Sequence, residues 1–309
     1  MQLCNLLAEI SADFGSSAVT IGKFDGLHLG HQALITELLG SAATHHLKSV
    51  AITFDRHPDA LLNPERATLP LIGSSQKAKL FEATGIDLLL NLPFDRALAE
   101  LSAEDFVSDI LVKTLNAKVV IVGEGFRFGK SGLGTVDTLH QLGQIFGFSV
   151  IVVPQVSVDG QKVSTTHIRE LLDSGNVERA AKLLGRIHKT TGEIEHGLKI
   201  GRTIGFPTAN MSRDAEGYLP VDGVYAGWLV TKDARYPCAM SVGINETFTA
   251  VPRLVEGYVL DRDDLDLYGQ IVDFEYVAFV RATAKFDGVE ALIEAINQDV
   301  SRVRELLEL

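Results

Sequence analysis

Two histidines three positions apart, His28 and His31, close the run Gly22-Lys23-Phe24-Asp25-Gly26-Leu27-His28-Leu29-Gly30-His31. Ahead of it stands Ala18-Val19-Thr20-Ile21, apolar enough for a buried strand, and from about His28 the apolar residues recur with helical spacing. A turn between a strand and a helix is where open α/β sheets bind ligands. The new helix also offers unpaired N–H groups and the positive end of its dipole. Three apart on a helix, the two imidazoles face the same way, and Gly30 leaves the helix start bare for a bulky anion. Prearranged imidazole donors of this kind suit nucleotidyl transfer, where attack on an α-phosphate builds charge on its non-bridging oxygens. Out of context the same spacing also describes a surface pair, or a metal pair short of its third ligand.

A second constellation lies far downstream, in Gly201-Arg202-Thr203-Ile204-Gly205-Phe206-Pro207-Thr208-Ala209-Asn210. Its glycines and proline could simply shape a loop entering a strand. Thr208 and Asn210, however, present hard oxygens two residues apart, on one side of an extended chain. Such donors suit Mg²⁺, which takes few protein ligands and keeps phosphate oxygens and water. Gly123-Glu124-Gly125-Phe126-Arg127-Phe128-Gly129-Lys130-Ser131 looks like a phosphate loop but encloses five residues between its outer glycines, where a Walker A loop has four. Glu124 would also set a carboxylate in the phosphate cradle. Phe126 and Phe128 either border a ligand or belong to the core.

The elements that must position these groups follow from the chain as a whole. With 309 residues, two domains are expected. Hydrophobic residues at 46% and charged residues at 22% exclude disorder, and two cysteines exclude a disulfide scaffold and point to a reducing compartment. A net charge of −12 excludes wrapping of DNA or RNA. Residues 1–15 carry Glu9 and Asp13 and no basic region, so they do not form a secretory signal, and the apolar runs are too short to span a bilayer. A cytoplasmic protein is expected. Ala18–Ile21, Ser49–Phe54, Ile86–Leu92, Lys118–Val122 and Phe148–Val153 read as buried strands, with helical stretches such as Ser75–Thr84, Ser102–Leu115 and Thr135–Phe146 between them. This alternation predicts a doubly wound parallel sheet. After Leu184 the pattern changes. Gly223–Thr231, Ala239–Ile244, Leu254–Leu260 and Gln270–Arg281 alternate like half-exposed strands of an antiparallel sheet or small barrel, and Val289–Leu309 returns to amphipathic helix. Division at 1–184 and 185–309 shares the charge as −5 and −7, so neither site is marked by it.

The stretch from Gly22 to His31 resembles the His-X-Gly-His nucleotidylyltransferases, and more narrowly the bacterial bifunctional riboflavin kinase/FMN adenylyltransferases, the FAD synthetases. The resemblance runs from about residue 18 to the C-terminus. It implies an N-terminal nucleotidylyltransferase domain that adenylylates FMN with ATP, and a C-terminal β-barrel riboflavin kinase domain using MgATP. ATP, riboflavin and FMN are then substrates, Mg²⁺ the cofactor, and neither nucleic acid nor membrane a partner. His28 and His31 would stabilise the transferring phosphate within a nucleotide loop that includes Gly22, Phe24, Asp25 and Gly30. Val163-Ser164-Thr165-Thr166-His167-Ile168-Arg169 is similar to the family's triphosphate segment, with Ser164, Thr165 and Arg169 as donors, although Ser164 or Thr165 also reads as a plain helix cap. In the kinase half, Gly201, Arg202 and Thr203 match a nucleotide loop, Thr208 and Asn210 the Pro-Thr-Ala-Asn signature, and Glu256 the strand glutamate that acts as base. His57, Phe126 and Phe128 match flavin-side positions, His57 beside a proline being equally suited to a structural role. Gly125 replaces an acid or amide, and Glu246 a proline. A nucleotidylyltransferase of another substrate would lack the kinase signature. A flavin- or nucleotide-binding regulator that has lost catalysis would not need both constellations intact.

Overall fold

Six strands, the central ones buried on both faces, carry the N-terminal unit, Met1–Pro70 with Ser74–Val163, in a computed structural model that describes residues 1–11, 13–197, 201, 204–243 and 253–309. They are β1 (Gln2–Cys4), β2 (Ser17–Ile21), β3 (Lys48–Phe54), β4 (Leu88–Leu92), β5 (Ala117–Gly123) and β6 (Ser149–Val153), all parallel, in the order β1-β4-β3-β2-β5-β6. Successive side chains divide between two cores. Val19, Ile21, Val50, Ile52, Leu88, Leu90, Val120 and Val122 enter one, and Ala18, Ala51, Leu89, Val119 and Ile121 enter the other. Helices cover both: α1 (Leu29–His45), α2 (Pro58–Leu62), α3 (Ser74–Glu82), α4 (Arg96–Glu100), α5 (Ala103–Asp105, continuing as the π-helix Phe106–Thr114) and α6 (Val136–Phe146). The expected doubly wound sheet is therefore present. β1 is the strand the sequence reading omits: three residues with only Cys4 buried leave no apolar run. A small hairpin of β7 (Ser157–Val158) and β8 (Gln161–Lys162) turns through Asp159 and Gly160, both at positive φ.

The second unit comprises Leu71–Gly73 and Ser164–Leu309. β9 (His188–Glu195), β10 (Thr208–Met211), β11 (Gly223–Val230), β12 (Arg235–Gly243), β13 (Leu254–Val259) and β14 (Ile271–Ala282) close a barrel in the order β10-β13-β12-β11-β14-β9, antiparallel throughout. Tyr225, Phe274, Tyr276, Met240 and Cys238 are fully buried in it. The terminal helix, here α9 (Val289–Leu307), packs Val303 against Ala226, Leu260 and Ala278. Arg281 fastens it through paired 2.7 Å bonds to Asp299, which is buried. Two helices before the barrel, α7 (Thr165–Asp173) and α8 (Val177–Leu184), belong to this unit by their contacts. Val177, Ala180, Leu183 and Leu184 form a buried face of α8, and Leu172 O accepts the Val221 N–H at 2.9 Å. The compact units thus divide ahead of the change in sequence pattern near Leu184, because amphipathic helices look alike whichever sheet they cover.

Candidate active sites

The β2–α1 loop turns through non-glycine left-handed conformations at Phe24 (φ 50°) and Leu27 (φ 40°) and through Gly26 (φ 80°). Phe24 is fully buried, with its ring against Phe81 of α3 (centroids 5.2 Å) and the edge of His31 (5.3 Å). Sequence spacing alone suggests that His28 and His31 share a helix face. The structure brings them together differently: His28 is extended and caps α1, its Nδ1 accepting the His31 N–H at 3.3 Å. That acceptor role leaves Nε2 as the protonated nitrogen of the neutral ring. The two rings stack with centroids 3.6 Å apart and planes 13° apart. A Cβ on Gly30 would lie 3.2 Å from the His28 ring, so the bare helix start also leaves room for the stack. Gly22 meets Phe24 in the same way at 3.2 Å, and Asp25 is buried within the turn. A cavity of about 180 Å³ opens over the pair, walled also by Gly123–Gly125 at the end of β5, by the last residue of β6 and the three that follow it (153–156) and by Lys162. Glu124 lines it and accepts the Gln155 N–H at 3.4 Å, while Gly125 has open space where a Cβ would stand.

His57 caps α2, its Nδ1 accepting the Asp59 N–H at 3.1 Å, and its Nε2 lies 2.7 Å from Lys23 Nζ. The motif loop and the β3–α2 loop are joined there. Burial pushes the Lys23 ammonium below its ordinary range against the pull of Asp59 and Asp25. Phe128 is buried in the sheet core, and Phe126 packs half-buried upon it, rings 5.4 Å apart. Within the second unit, Ser164 caps α7 by accepting the His167 N–H at 3.2 Å, with Thr165 next to it. Arg169 lies 5.8 Å from the Tyr218 ring centroid, and the Tyr218 hydroxyl donates to Asp173 at 2.7 Å. Lys77 of α3, half-buried, donates to Lys23 O at 3.3 Å and escapes a reading by motif, being one of two lysines in an ordinary amphipathic stretch.

In the barrel, register does the positioning. β10 pairs with β13 so that Asn210 stands opposite Glu256 and Thr208 opposite Tyr258. Thr208 Oγ1 donates to Glu256 Oε2 at 3.4 Å, and Asn210 Nδ2 donates to Thr208 O at 3.2 Å. Burial raises the Glu256 carboxyl above the ordinary carboxylate range, with the Thr208 bond opposing. A cavity of about 360 Å³ adjoins Thr208 and Asn210, with Gly197, Gly205, Val259 and Tyr268 among its walls; Glu256 reaches it through Thr208. Gly201 begins a tight turn in which the Phe206 N–H bonds to Gly201 O at 2.8 Å, and a Cβ on Gly201 would strike the Phe206 carbonyl. Arg202, Thr203 and Glu246 lie outside the described residues. Among the described residues no cluster of three or more His, Cys, Asp or Glu could hold a metal, and no helix is long and apolar enough to cross a membrane. Thr208 and Asn210 remain a fitting oxygen set for a Mg²⁺ ion that draws its other ligands from phosphates and water.

Residues 10–167 match the FAD synthetase family model and residues 184–307 the riboflavin kinase model. The chain is 32% identical over 312 residues to the bifunctional riboflavin kinase/FMN adenylyltransferase of Buchnera aphidicola (from Acyrthosiphon pisum), covering 100% of this chain and 99% of that one. The protein of the same description in Listeria monocytogenes is 34% identical (94% and 92% covered). That of Escherichia coli K12 is 32% identical (94% and 93% covered). A crystal structure from Streptococcus pneumoniae described as a macrolide-efflux protein superposes with a TM-score of 0.89 at 31% identity over 98% of both chains. Two domain matches in tandem, and end-to-end relatives carrying both activities in their names, place the chain in one family: it belongs to the bifunctional riboflavin kinase/FMN adenylyltransferases.

Proposed function

We propose that the two activities of this family are carried by the two constellations described above, each on its own set of elements. Residues 185–309 phosphorylate riboflavin with ATP, and residues 1–184 transfer the adenylyl group of a second ATP to FMN, releasing pyrophosphate and FAD. In the kinase, Glu256 accepts the proton of the attacking ribityl hydroxyl; partial burial raises its carboxyl above the ordinary carboxylate range, which makes it a stronger base for that role. Mg²⁺, when bound with ATP, would be held by Thr208 and Asn210 and would neutralise charge on the phosphates. Gly201, Arg202 and Thr203 are assigned to the nucleotide loop by the family motif.

For adenylyl transfer, the FMN phosphate attacks the α-phosphorus of ATP and the bond to the β,γ-pyrophosphate breaks. The stacked His28 and His31 donate to the non-bridging oxygens, where negative charge grows. Gly22, Phe24, Asp25 and Gly30 shape the loop that holds them, and Ser164, Thr165 and Arg169 are assigned to the triphosphate. His57, with Phe126, is assigned to the flavin side; Phe128 supports Phe126 from within the core. Both cysteines are buried free thiols, the usage of a reducing compartment, and we place the enzyme in the cytoplasm. The observation that carries this map is the stack itself: two imidazoles are held 3.6 Å apart at a helix start, in a cavity, and capping the helix engages only Nδ1 of His28.

The test separates flavins chromatographically after incubation with riboflavin, ATP and Mg²⁺. The wild type accumulates FMN and FAD; His28→Ala stops at FMN, and Asn210→Asp forms no FMN yet converts supplied FMN to FAD. Loss of both activities in both folded variants would refute the two-site map.

A further inference from the structure

We propose that Lys77 is a positioning residue for adenylyl transfer: its ammonium straps the backbone of the β2–α1 loop to the end of β3 and thereby holds His28 and His31 in their stack. The inference rests on the assignment of that pair to the transferring phosphate.

Lys77 Nζ donates to three oxygens, Lys23 O at 3.3 Å, Phe54 O at 3.2 Å and Thr53 Oγ1 at 3.4 Å. Three N–H groups meet three acceptors, so the ammonium is committed to the protein and leaves no donor for a substrate phosphate. Thr53 Oγ1 in turn donates to Lys23 O at 3.0 Å, and the Gly22 N–H bonds to Ile52 O at 3.0 Å. The carbonyl of Lys23 thus receives two donors immediately before the chain enters the left-handed turn at Phe24. A bulky residue keeps such a conformation only where its surroundings over-determine it.

The same helix holds the turn a second time. Phe81, one helical turn beyond Lys77, meets the Phe24 ring edge-on at 5.2 Å, and the Phe24 ring also meets His31 at 5.3 Å. Contacts therefore run from α3 through Lys23 and Phe24 to the histidines. Burial lowers the Lys77 ammonium below its ordinary range, and the Asp25 and Asp55 carboxylates oppose that shift. A half-buried cation among neutral oxygens is a costly way to fill space, and a methionine would pack there at less expense in desolvation. What the ammonium adds is directional hold on two loops at once, the one ending in His28 and the one leading to His57.

The experiment uses full-length Lys77→Met. The kcat for adenylylation of supplied FMN should fall about 10-fold or more, because sub-ångström misplacement of reacting groups is enough for that. KM for ATP and FMN should stay within about 3-fold, and riboflavin phosphorylation should be unchanged. In ¹H–¹³C spectra the imidazole signals of His28 and His31, assigned from single alanine variants, should move while that of buried His188 stays. Thr53→Val, nearly isosteric, removes one leg of the strap and should lower kcat in the same direction by about 3-fold. It decides the matter should Lys77→Met fail to fold, as lost kinase activity would reveal. A wild-type kcat, unmoved His28 and His31 signals, or a change confined to KM overturns the proposal. If His28→Ala itself retains FAD formation, the histidine assignment has failed; if only the Lys77 and Thr53 variants retain it, the strap alone has.

Discussion

Replacing Gly30 by alanine sets two physical effects against each other in one turn of helix. The added methyl would stand 3.2 Å from Cε1 and Nδ1 of His28, closer than a Cβ normally approaches a ring. His28 is 6% exposed with His31 stacked 3.6 Å from it, so relief comes from tilting the stack by a few tenths of an ångström and lengthening the 3.3 Å cap bond to Nδ1. On stability the terms nearly cancel. Gly→Ala within a helix gains up to about 1 kcal/mol, and weakening an N-cap loses ~0.5–2 kcal/mol. On rate they do not cancel. Removing a preorganised donor outright costs about 10²–10³ in kcat, and displacing two linked donors should cost about 10-fold, or ~1.4 kcal/mol. The assay supplies FMN, ATP and Mg²⁺ directly and follows pyrophosphate and FAD, with riboflavin phosphorylation and thermal unfolding measured on the same preparation. FAD formation should fall while the kinase rate and Tm stay within error. A wild-type kcat for FAD would show that the stacked geometry is irrelevant to the chemistry, whereas parallel loss of Tm and kinase activity would show that the substitution acts on folding.

Glu256→Gln should reduce riboflavin phosphorylation by about 10²–10⁴ and leave adenylylation of supplied FMN intact. Because burial raises this carboxyl, the acid limb of the wild-type kinase kcat/KM profile should lie above the ordinary carboxylate range; a limb at or below it refutes the assignment of base. His188, fully enclosed with Nε2 2.7 Å from Tyr218 O, has its pKa pulled down to about 4 by burial. A group whose folded pKa lies below its unfolded value of 6.5 favours the folded state above pH 6.5 and loses that contribution as pH falls toward 4. It should cost about 2 kcal/mol between pH 7 and pH 5, read from urea midpoints of the barrel signal, and His188→Gln should flatten that dependence.

Much of the fold is legible because its strands announce themselves locally. A strand covered on both faces must be a short apolar run, and β2, β3, β4 and β5 all are; β6, at the sheet edge and part-exposed, is apolar as well. β1 is not, since it borrows its place from β4. Nor is β9, whose His188-Lys189-Thr190-Thr191-Gly192-Glu193-Ile194-Glu195 is polar in sequence yet buries His188, Thr190, Thr191 and Ile194 once β14 and β10 flank it. Lys77 was invisible for a related reason: its role depends on carbonyls that sequence does not advertise.

What the sequence by itself determined is which residues are candidates for the chemistry, because an imidazole pair at a turn and paired oxygens on an extended segment are local spacings. Tertiary structure decided how those residues are placed. Chain folding made His28 a cap stacked on His31, where spacing suggested two residues on one helix face. Barrel closure set Glu256 opposite Asn210 and buried its carboxyl. Packing drew α7 and α8 to the barrel. Proton affinity, ring contact and strand register arise from neighbours distant along the chain, and only the folded molecule brings those neighbours together.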